Sequence, residues 1–316
     1  MKKTKLALLT LPLILLSITG CDRARWHIGI CQLIRHAALD AATQGFMDAV
    51  KEELGAANVK FDLQNAAGDS GTCVTISNSF VSKNKDLIMA NATPALQAAA
   101  NTTKSIPILG TSITEYGVAL GINDFSGTVG GNISGTSDLA PLSEQAQMVV
   151  DVFPTATKVG LLYCSAEANS LYQVQVVEQE LQAKGLSTTR MSFADSNDIS
   201  QVLNGSISDI DVLYIPTDNT AASCTSTINS ICSSHNIPVV AGEEGLCKGC
   251  GAVTLSISYY NLGVKTGQMA VEILRDGKDI STMPIAYDEN PVKKYNPQIC
   301  EQLGITVPDG YVPIEL

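Results

Sequence analysis

The chain has 316 residues, of which 45% are hydrophobic and 16% are charged, so it is long and apolar enough for two ordinary domain cores. This composition excludes a disordered protein. The formal net charge is −11 at pH 7, which argues against a nucleic-acid partner because nucleic acids are themselves polyanions.

The first 21 residues have the pattern of an export signal. Three lysines among the first five residues precede an apolar run of residues 6–18, and Thr19-Gly20-Cys21 follows. This run is too short to cross the ~30 Å hydrocarbon core of a bilayer as a helix. Small residues before a lone cysteine resemble the lipobox of bacterial lipoproteins, so we expect removal of residues 1–20 and acylation of Cys21. The alternative is a plain secretory signal that ends near a cysteine, and either interpretation places the mature protein outside the cytoplasm.

In the first half of the chain, short β-rich runs alternate with helical patterns, an order typical of parallel sheets built from βαβ units. The predicted strands are His27–Cys31, Val59–Gln64, Leu87–Ala90 and Ile106–Leu109. The helices predicted between them are Leu39–Leu54, Cys73–Val81 and Pro94–Asn101.

The second half repeats this plan. Its predicted strands are Val159–Tyr163, Thr188–Ser192, Val212–Ile215 and Val239–Ala241. Its predicted helices are Leu171–Lys184, Asp198–Leu203 and Ala221–His235. Between the halves, residues 117–137 are rich in Gly, Ser and Thr, which predicts a crossover region. A long helix at Leu262–Arg275 and an extended, proline-bearing tail are predicted to complete the chain.

A local echo between the halves indicates a duplication. Asp86-Leu87-Ile88-Met89 leads to Thr93, and Asp211-Val212-Leu213-Tyr214 leads to Thr217. A second echo, in the same order, follows further along each half, so chance alone is a poor explanation. The sequence therefore predicts an α/β protein with two similar Rossmann-like lobes of parallel strands.

Polar residues follow the predicted strands of the first half. In open parallel sheets, ligands bind beyond the carboxyl ends of the strands, where helix N-termini offer unpaired N–H groups. The candidate ligand-binding residues of this half are Gln32, His36, Thr93, Pro94, Ala95, Thr111 and Ser112. A helix that starts at Pro94, with hydroxyl groups nearby, suits a carboxylate, and we expect the ligand's carboxylate to meet Thr93, Ala95 and Ser112.

The corresponding loops of the second half are richer in acids. The candidate residues there are Glu167, Asn169, Ser170, Asp218, Asn219 and Glu243. An ammonium group could meet Asp218 or Glu243, so the two halves together predict a pocket for an amino acid or a similar small zwitterion. The alternative is that the hydroxyls only cap helices and the acids are solvated.

The sequence contains little that indicates catalysis. The three histidines lie in no recognisable nucleophile or metal motif, and GxSxG, HExxH, Walker A and GxGxxG patterns are absent. We therefore predict no catalytic residue and no cofactor; an extracellular enzyme that uses Glu243 with Glu244, or Asp218, as acid and base is the weaker alternative. Cys247-Lys248-Gly249-Cys250, with Cys224 and Cys232 upstream, leaves free thiols, disulfides and zinc open, and free or disulfide-bonded cysteines are favoured.

Several segments together resemble one family, the bacterial substrate-binding lipoproteins of ABC transporters with the type I periplasmic-binding fold. The resemblance is to the branch that includes tryptophan and other aromatic amino acid binders, and it covers nearly all of the mature chain. The matching segments, in chain order, are Q-x-x-x-H-x-x-L-D at residues 32–40, residues 92–95, 135–138, 165–170, 216–220, 242–245 and 258–263.

The resemblance implies a clamp that closes on a small molecule and presents it to a membrane permease, without chemistry on the ligand. It implies hinge segments near residues 137–143, 257–262 and 283–288. The first lobe would comprise residues 27–137 plus 262–283, and the second residues 143–257 plus 288–316. The protein would sit on the extracytoplasmic face of the cell membrane, held by its lipid anchor. A sensor ectodomain that hands its ligand to a signalling partner is the alternative function.

Overall fold

The computed structural model describes residues 24–288 and 290–315. The predicted signal segment and the predicted lipidation site, Cys21, lie outside these residues. Within them, none of the helices combines the length and the apolar character that a bilayer crossing requires.

The described residues form an alternating series of strands and helices. The strands are β1 (Trp26–Gln32), β2 (Val59–Asn65), β3 (Leu87–Asn91), β4 (Ile108–Ile113), β5 (Ile133–Ser137), β6 (Lys158–Cys164), β7 (Ser187–Phe193), β8 (Val212–Ile215), β9 (Val239–Ala241), β10 (Val253–Ser256), β11 (Ala286–Tyr287), β12 (Val292–Tyr295) and β13 (Val312–Pro313). The helices are α1 (Ala37–Leu54), α2 (Ser70–Ser82), α3 (Thr93–Thr102), α4 (Tyr116–Leu120), α5 (Leu142–Val152), α6 (Ala168–Ala183), α7 (Ile199–Ser206), α8 (Asn219–Ala222), α9 (Thr225–Ser234), α10 (Glu244–Cys250), α11 (Tyr259–Leu274) and α12 (Pro297–Leu303).

The strands form two sheets, which define two lobes. The first lobe contains a six-stranded parallel sheet in the order β11-β5-β4-β3-β1-β2. The second lobe contains a seven-stranded sheet in the order β13-β12-β10-β9-β8-β6-β7, in which only the β10–β12 pairing is antiparallel. The inner strands β3 and β8 are buried along their whole length, as expected for parallel strands covered by helices on both faces. The predicted α/β fold is confirmed.

Helices α1 and α11 pack at very close range on the first lobe. A Cβ atom added at Gly263 would lie 2.0 Å from the carbonyl oxygen of Ala42, and one added at Gly45 would lie 2.1 Å from that of Tyr260. Only glycine permits this approach of backbone to backbone. The close packing holds the start of α1, which lies beside the cleft, against the start of α11.

The structure differs from the sequence prediction between the two halves. Residues 117–137 were predicted as a crossover region, but they include the end of α4 and all of β5. Strand β5 is rich in Ser, Gly and Thr and is nevertheless buried, because its hydroxyls find partners inside the fold. Ser134 Oγ donates to the carbonyl of Met283, and Thr136 Oγ1 donates to Thr111 Oγ1 and lies 2.9 Å from Thr266 Oγ1.

Three other predicted elements are also corrected. Strand β4 spans Ile108–Ile113 instead of Ile106–Leu109. The single helix predicted at Ala221–His235 is two helices, α8 and α9, because Cys224 leaves the helical conformation with φ −120° and ψ 21°. The tail contains helix α12, whose first turn is capped by the side chain of Asn296.

The eight cysteines that the structure describes are free thiols, and all but Cys224 are buried. Cys247 Sγ donates to the carbonyl of Gly251, and Cys250 Sγ donates to that of Leu246. Among the described residues there is no cluster of three or more His, Cys, Asp or Glu that could hold a metal ion. In this structure these cysteines therefore serve as small buried side chains.

Candidate functional site

A closed pocket lies between the lobes, beyond the carboxyl ends of the strands. The surrounding side chains nearly fill it, because the space open to water is only about 10 Å³, the size of about one water molecule. The two lobes and the segments that connect them contribute its lining, which consists of His36, Leu39, Ser112, Asp138, Asn169, Thr217, Asp218, Asn219, Ala222, Glu243 and Tyr259. The junction of two lobes is a typical position for a small-molecule site.

Four side-chain atoms that line this pocket are buried and have no hydrogen-bond partner among the described residues. They are His36 Nδ1, Ser112 Oγ, Asp138 Oδ1 and Asn169 Oδ1. Buried polar atoms in folded proteins are nearly always hydrogen-bonded, because an unpaired one costs about 1–3 kcal/mol. Four unpaired atoms in one small cavity therefore indicate the polar groups that a ligand would satisfy.

Three of these four atoms are hydrogen-bond acceptors. The Asp138 carboxylate can only accept. Asn169 Nδ2 donates to the carbonyl of Thr217 at 3.0 Å, which leaves its Oδ1, an acceptor, on the pocket side. The hydrogen-bond network also fixes the tautomer of His36. Asn219 Nδ2 donates to Glu167 Oε2 at 2.6 Å, so Asn219 Oδ1 faces His36 Nε2 at 3.2 Å.

His36 therefore carries its proton on Nε2 and offers the Nδ1 lone pair to the pocket. Burial lowers the pKa of His36, which keeps the imidazole neutral; the hydrogen bond to Asn219 and the nearby carboxylates of Glu167 and Asp40 oppose this shift. The pocket thus combines a neutral imidazole acceptor, an amide acceptor and a carboxylate.

Asp138 occupies the position between the lobes that the sequence argument overlooked. Its Oδ2 accepts a hydrogen bond of 2.8 Å from the hydroxyl of Tyr259. Burial raises the pKa of Asp138, and the hydroxyls of Tyr259 and Thr114 partly offset this effect. Asp138 is thus a buried carboxylate with one oxygen held by the protein and one directed at the pocket.

The two acids that the sequence favoured for an ammonium group are already engaged. Asp218 accepts from the backbone N–H groups of Cys164 and Ala221, and Glu243 accepts from those of Gly245 and Leu246, so each caps a helix. Burial raises the pKa of Asp218, and burial raises that of Glu243 to about 7. Both line the pocket, but both of their carboxylate oxygens have partners in the fold.

Glu167 organises the wall of the pocket from behind. Its carboxylate accepts from the backbone N–H groups of Asn219 and Thr220 and from both of their side chains. It also lies 3.3 Å from Asn169 Nδ2, and Ser170 Oγ lies 3.3 Å from the same nitrogen. Glu167 and Ser170 therefore support the residues that line the pocket.

Ser112 reaches the pocket through an unusual backbone conformation. Its φ of +56° lies in the left-handed region, at a point where the register between β4 and β5 shifts between Gly110 and Ile113. Such irregularities redirect side chains and are common next to binding sites. Here the result is a hydroxyl directed into the pocket instead of along the sheet.

The remaining predicted residues lie outside the lining. Gln32 bonds to the carbonyl of Ile34, to Asp40 and to Thr43, and it borders a surface groove instead. Thr111 is bonded inside the sheet by Thr136. Thr93, Pro94 and Ala95 are buried at the start of α3, and of these Pro94 borders a neighbouring cavity beside Glu167.

Direct contacts across the cleft close the pocket. Besides the His36–Asn219 contact, Thr114 Oγ1 lies 3.4 Å from Thr217 Oγ1 and 3.5 Å from Gln173 Nε2. Thr114 follows a strand of the first lobe, whereas Thr217 and Gln173 belong to the second. The structure therefore has its lobes in contact around the pocket.

The residues that sequence reasoning missed include Asp138, Thr217 and Tyr259. Asp138 and Tyr259 belong to the segments Gly135-Thr136-Ser137-Asp138 and Ser258-Tyr259-Tyr260, which carry part of the family resemblance, and Thr217 precedes Asp218 in another such segment. The motif match was the available signal for all three, whereas the strand-end argument considered the loop that contains Thr217 but not the connecting segments that contain Asp138 and Tyr259.

A family model described as ABC transporter substrate binding protein matches residues 27–312. A tyrosine-binding protein from Clostridioides difficile strain R20291 is 36% identical over 261 residues, which cover 82% of this chain and 75% of that protein.

Two solved structures each cover 92% of this chain and are themselves fully covered. The structure of an ABC domain in complex with L-Trp from Streptococcus pneumoniae is 30% identical, with a TM-score of 0.87. The ligand-free, open structure of a substrate-binding protein with adhesive properties from Clostridium difficile is 36% identical, with a TM-score of 0.68. The predicted resemblance and the predicted two-lobed binding fold are confirmed.

Members of this family act outside the cytoplasm. The match spans both lobes, the cleft between them and every residue that lines the pocket. The chain belongs to the ABC transporter substrate-binding protein family.

Proposed function

We propose that the pocket binds the zwitterion of an aromatic amino acid and that the protein presents it to an ABC permease. The observation that carries this proposal is the set of three unpaired acceptors, His36 Nδ1, Asp138 Oδ1 and Asn169 Oδ1, in one buried pocket. An ammonium group has three N–H donors and no acceptor, so it complements this set. Its charge-assisted bond to Asp138 would be the strongest of the three.

The carboxylate end of the ligand would meet the Ser112 hydroxyl, the fourth unpaired atom. The predicted contacts with Thr93 and Ala95 at the start of α3 remain part of the proposal, although neither residue lines the closed pocket. The lining residues include no lysine or arginine, so hydroxyl and backbone N–H groups would have to bind this end of the ligand.

An aromatic side chain is supported by the relatives. One is a tyrosine-binding protein, and another was solved with L-Trp. The side chains of Leu39 and Ala222 and the ring of Tyr259 provide apolar surface in the pocket. Tyrosine and tryptophan are therefore the first ligands to test.

We also propose that the described conformation is the closed one of a hinged clamp. The TM-score is 0.87 with the L-Trp complex and 0.68 with the open, ligand-free relative, although the sequence identity is 30% with the former and 36% with the latter. The hinge would run through residues 137–143, 257–262 and 283–288. The first lobe would comprise residues 27–137 plus 262–283, and the second residues 143–257 plus 288–316. A bound ligand would shift the population toward closure.

We propose, further, that residues 1–20 are removed on export and that a lipid on Cys21 holds the protein at the extracytoplasmic face of the membrane. The lysines, the apolar run and the small residues before Cys21 support this. Metabolic labelling with a fatty acid should label the wild-type chain and leave Cys21→Ser unlabelled. Label on the variant would contradict the anchor.

The binding proposal is tested by calorimetric titration of residues 22–316 with the twenty amino acids. We expect tyrosine or tryptophan to bind and Asp138→Asn to weaken that binding by about 10- to 100-fold, because a hydrogen bond to a charged group is lost. Asp309→Asn, at an exposed position, is the matched control and should bind like the wild type. Binding unaffected by Asp138→Asn would contradict the proposed role of this carboxylate.

The same protein should release its ligand unchanged. The relatives are described as binding proteins, and Asp218 and Glu243, two of the acids that the enzyme alternative would use, are occupied in capping helices. Mass spectrometry after prolonged incubation should recover the amino acid quantitatively. Any product would favour the enzyme alternative.

A further inference from the structure

We propose that Tyr259 is a positioning residue: its hydroxyl orients the Asp138 carboxylate toward the ligand and ties that carboxylate to the hinge. This inference rests on the proposed binding of an ammonium group by Asp138. Tyr259 therefore has a role in affinity and in its pH dependence that is separable from its packing.

The geometry of the pair carries the first step. Asp138 directly follows β5, and Tyr259 is the first residue of α11, so the two residues belong to two different segments between the lobes. Tyr259 is 6% exposed and Asp138 is 4% exposed, and their 2.8 Å contact is shielded from water. Because an ionised carboxylate only accepts, the tyrosine hydroxyl must be the donor.

The second step is that the rest of Asp138 is also fixed. Its backbone N–H donates to the carbonyl of Ile113 at 3.1 Å, at the end of β4. With the backbone held there and Oδ2 held by Tyr259, the second oxygen, Oδ1, is left for the pocket. The hydroxyl of Tyr259 thus selects the rotation of the carboxylate that a ligand meets, and such preorganisation of a binding group increases affinity.

The third step connects this pair to the hinge as a whole. Ser258, next to Tyr259, caps α11 through its bond to the N–H of Asn261, and its own N–H donates to Asp288 Oδ2 at 3.1 Å. Asp138, Ser258 with Tyr259, and Asp288 belong to the three segments that connect the lobes. Engagement of Asp138 by a ligand therefore acts on a group that is hydrogen-bonded to the hinge.

The electrostatic setting makes the role of the hydroxyl measurable. The titratable groups that face Asp138 or share its pocket are Tyr116 from α4, Tyr259 from α11, Glu243 from the N-terminus of α10, Asp218 from the N-terminus of α8 and His36 from the N-terminus of α1. Burial raises the pKa of Asp138, and the hydroxyls of Tyr259 and Thr114 oppose that rise. Without the Tyr259 hydroxyl, the Asp138 pKa should rise further. A protonated Asp138 cannot pair with an ammonium ion, so binding would be lost at a higher pH than in the wild type.

The test compares Tyr259→Phe with Tyr260→Phe. Phenylalanine keeps the ring and removes the hydroxyl. The neighbouring Tyr260 is 43% exposed, and its hydroxyl donates to Asp48 on the surface. The dissociation constant of the amino acid identified by calorimetry is measured from pH 5.5 to 8.5 on the wild type and both variants. Side-chain carboxyl NMR follows the titration of Asp138 without ligand.

We expect Tyr259→Phe to raise the dissociation constant about tenfold at pH 7. It should also move the acid-side loss of binding, and the titration of Asp138 in the ligand-free protein, to higher pH. Tyr260→Phe should match the wild type in every measurement. Unchanged binding in Tyr259→Phe, or weakening by the same factor at every pH with an unmoved Asp138 titration, would overturn the inference.

The ligand-free titration separates this inference from the proposed function. If no amino acid binds to the wild type, the proposed function fails and Asp138 has no ammonium partner. An Asp138 titration that still moves in Tyr259→Phe would then leave Tyr259 as the residue that orients this carboxylate. An unmoved titration would overturn that role as well.

Discussion

Three buried carboxyl groups line the cleft, and their hydrogen bonds give them different functions. Asp218 and Glu243 accept backbone N–H groups at the starts of α8 and α10, so they stabilise the loops that form the second-lobe wall. Asp138 accepts from the hydroxyl of Tyr259, the first residue of α11, and keeps one oxygen unpaired. At the residue scale, the pairing of each oxygen therefore distinguishes an acid that caps a helix from one that is available to a ligand.

Glu243 should give the protein a distinctive dependence of stability on pH. Its pKa is about 7 in the folded state, compared with an ordinary value of 4.5. Between these values the unfolded chain has released a proton that the folded protein retains, so the free energy of unfolding from this group falls as pH rises from 4.5 to 7. The maximal slope is about 1.4 kcal/mol per pH unit, and the total is on the order of 3 kcal/mol.

Urea unfolding at pH 5 and pH 8 measures this effect. The difference in unfolding free energy between the two pH values should be smaller in Glu243→Gln than in the wild type. Glu301→Gln, at an exposed position on α12, should keep the wild-type difference. Asp218, whose pKa is also raised by burial, lowers the free energy of unfolding as pH rises in all three proteins alike. An equal difference in all three would show that Glu243 is not buried as described.

At the scale of elements, the close α1–α11 contact and the irregular end of β4 set the geometry of the pocket. The α1–α11 contact fixes two helices whose N-termini adjoin the cleft, because Gly45 and Gly263 allow their backbones to touch. The irregular end of β4 turns the Ser112 hydroxyl out of the sheet and requires Ser112 to adopt a left-handed conformation. Both features place a local backbone requirement next to the site.

Gly263→Ala should destabilise the protein by about 2 kcal/mol or more. The added methyl group would overlap the carbonyl oxygen of Ala42, which is backbone and cannot rotate away. Gly205→Ala in α7 is the matched control, because a Cβ there meets no atom within 4 Å. That variant should gain about 0.5–1 kcal/mol, since alanine favours a helix more than glycine does. Thermal or urea unfolding checks both, and a neutral Gly263→Ala would refute the close contact.

Ser112→Gly should separate strain from binding. Glycine adopts a φ of +56° freely, so the variant should be more stable than Ser112→Ala by about 1 kcal/mol. Both variants lack the hydroxyl and should bind the amino acid about 5- to 10-fold more weakly than the wild type. Equal unfolding free energies for the two variants would argue against a strained Ser112. Wild-type affinity in both variants would show that the Ser112 hydroxyl does not contact the ligand.

At the scale of the molecule, two sheets with separate cores meet at a polar cleft. The hydrogen bonds that span the cleft between described residues include those of Thr114 with Thr217 and of His36 with Asn219. Contacts of this kind are individually weak in net terms. The balance between open and closed forms should therefore respond to a bound ligand.

A bound ligand should favour the closed form and so reduce the radius of gyration that solution scattering measures.

Thr114→Val should weaken the closed form. Valine keeps the shape of threonine but loses the hydroxyl that lies near Thr217 and Gln173. We expect ligand dissociation in stopped-flow measurements to be faster by about 3-fold. Thr102→Val, whose hydroxyl bonds within its own helix, is the control. An unchanged dissociation rate in Thr114→Val would show that this contact does not hold the lobes together.

Much of the fold was predictable because it depends on local patterns. The alternation of apolar strands with helical segments predicted the two α/β lobes, and the predicted helix Leu39–Leu54 lies within the observed α1. Strand β5 was missed because its polar sequence is tolerated only where Thr111, Thr266 and a carbonyl of another segment supply hydrogen-bond partners. The sequence likewise left undecided whether the cysteines of segment 247–250 are free, disulfide-bonded or metal-bound, since only packing determines whether thiols meet one another.

The sequence by itself determined the export pattern, the fold class, the family and a set of candidate residues at strand ends, because each of these is written in contiguous residues. Only the tertiary structure decided which candidates share a pocket. In the structure, His36, Ser112 and Asn169 lie around one cavity, whereas Gln32 and Thr111 lie outside it. Asp138 and Tyr259, from the connecting segments, also line this cavity. The physical reason is that a buried polar atom is available to a ligand only if no neighbour satisfies it, and those neighbours are distant in sequence.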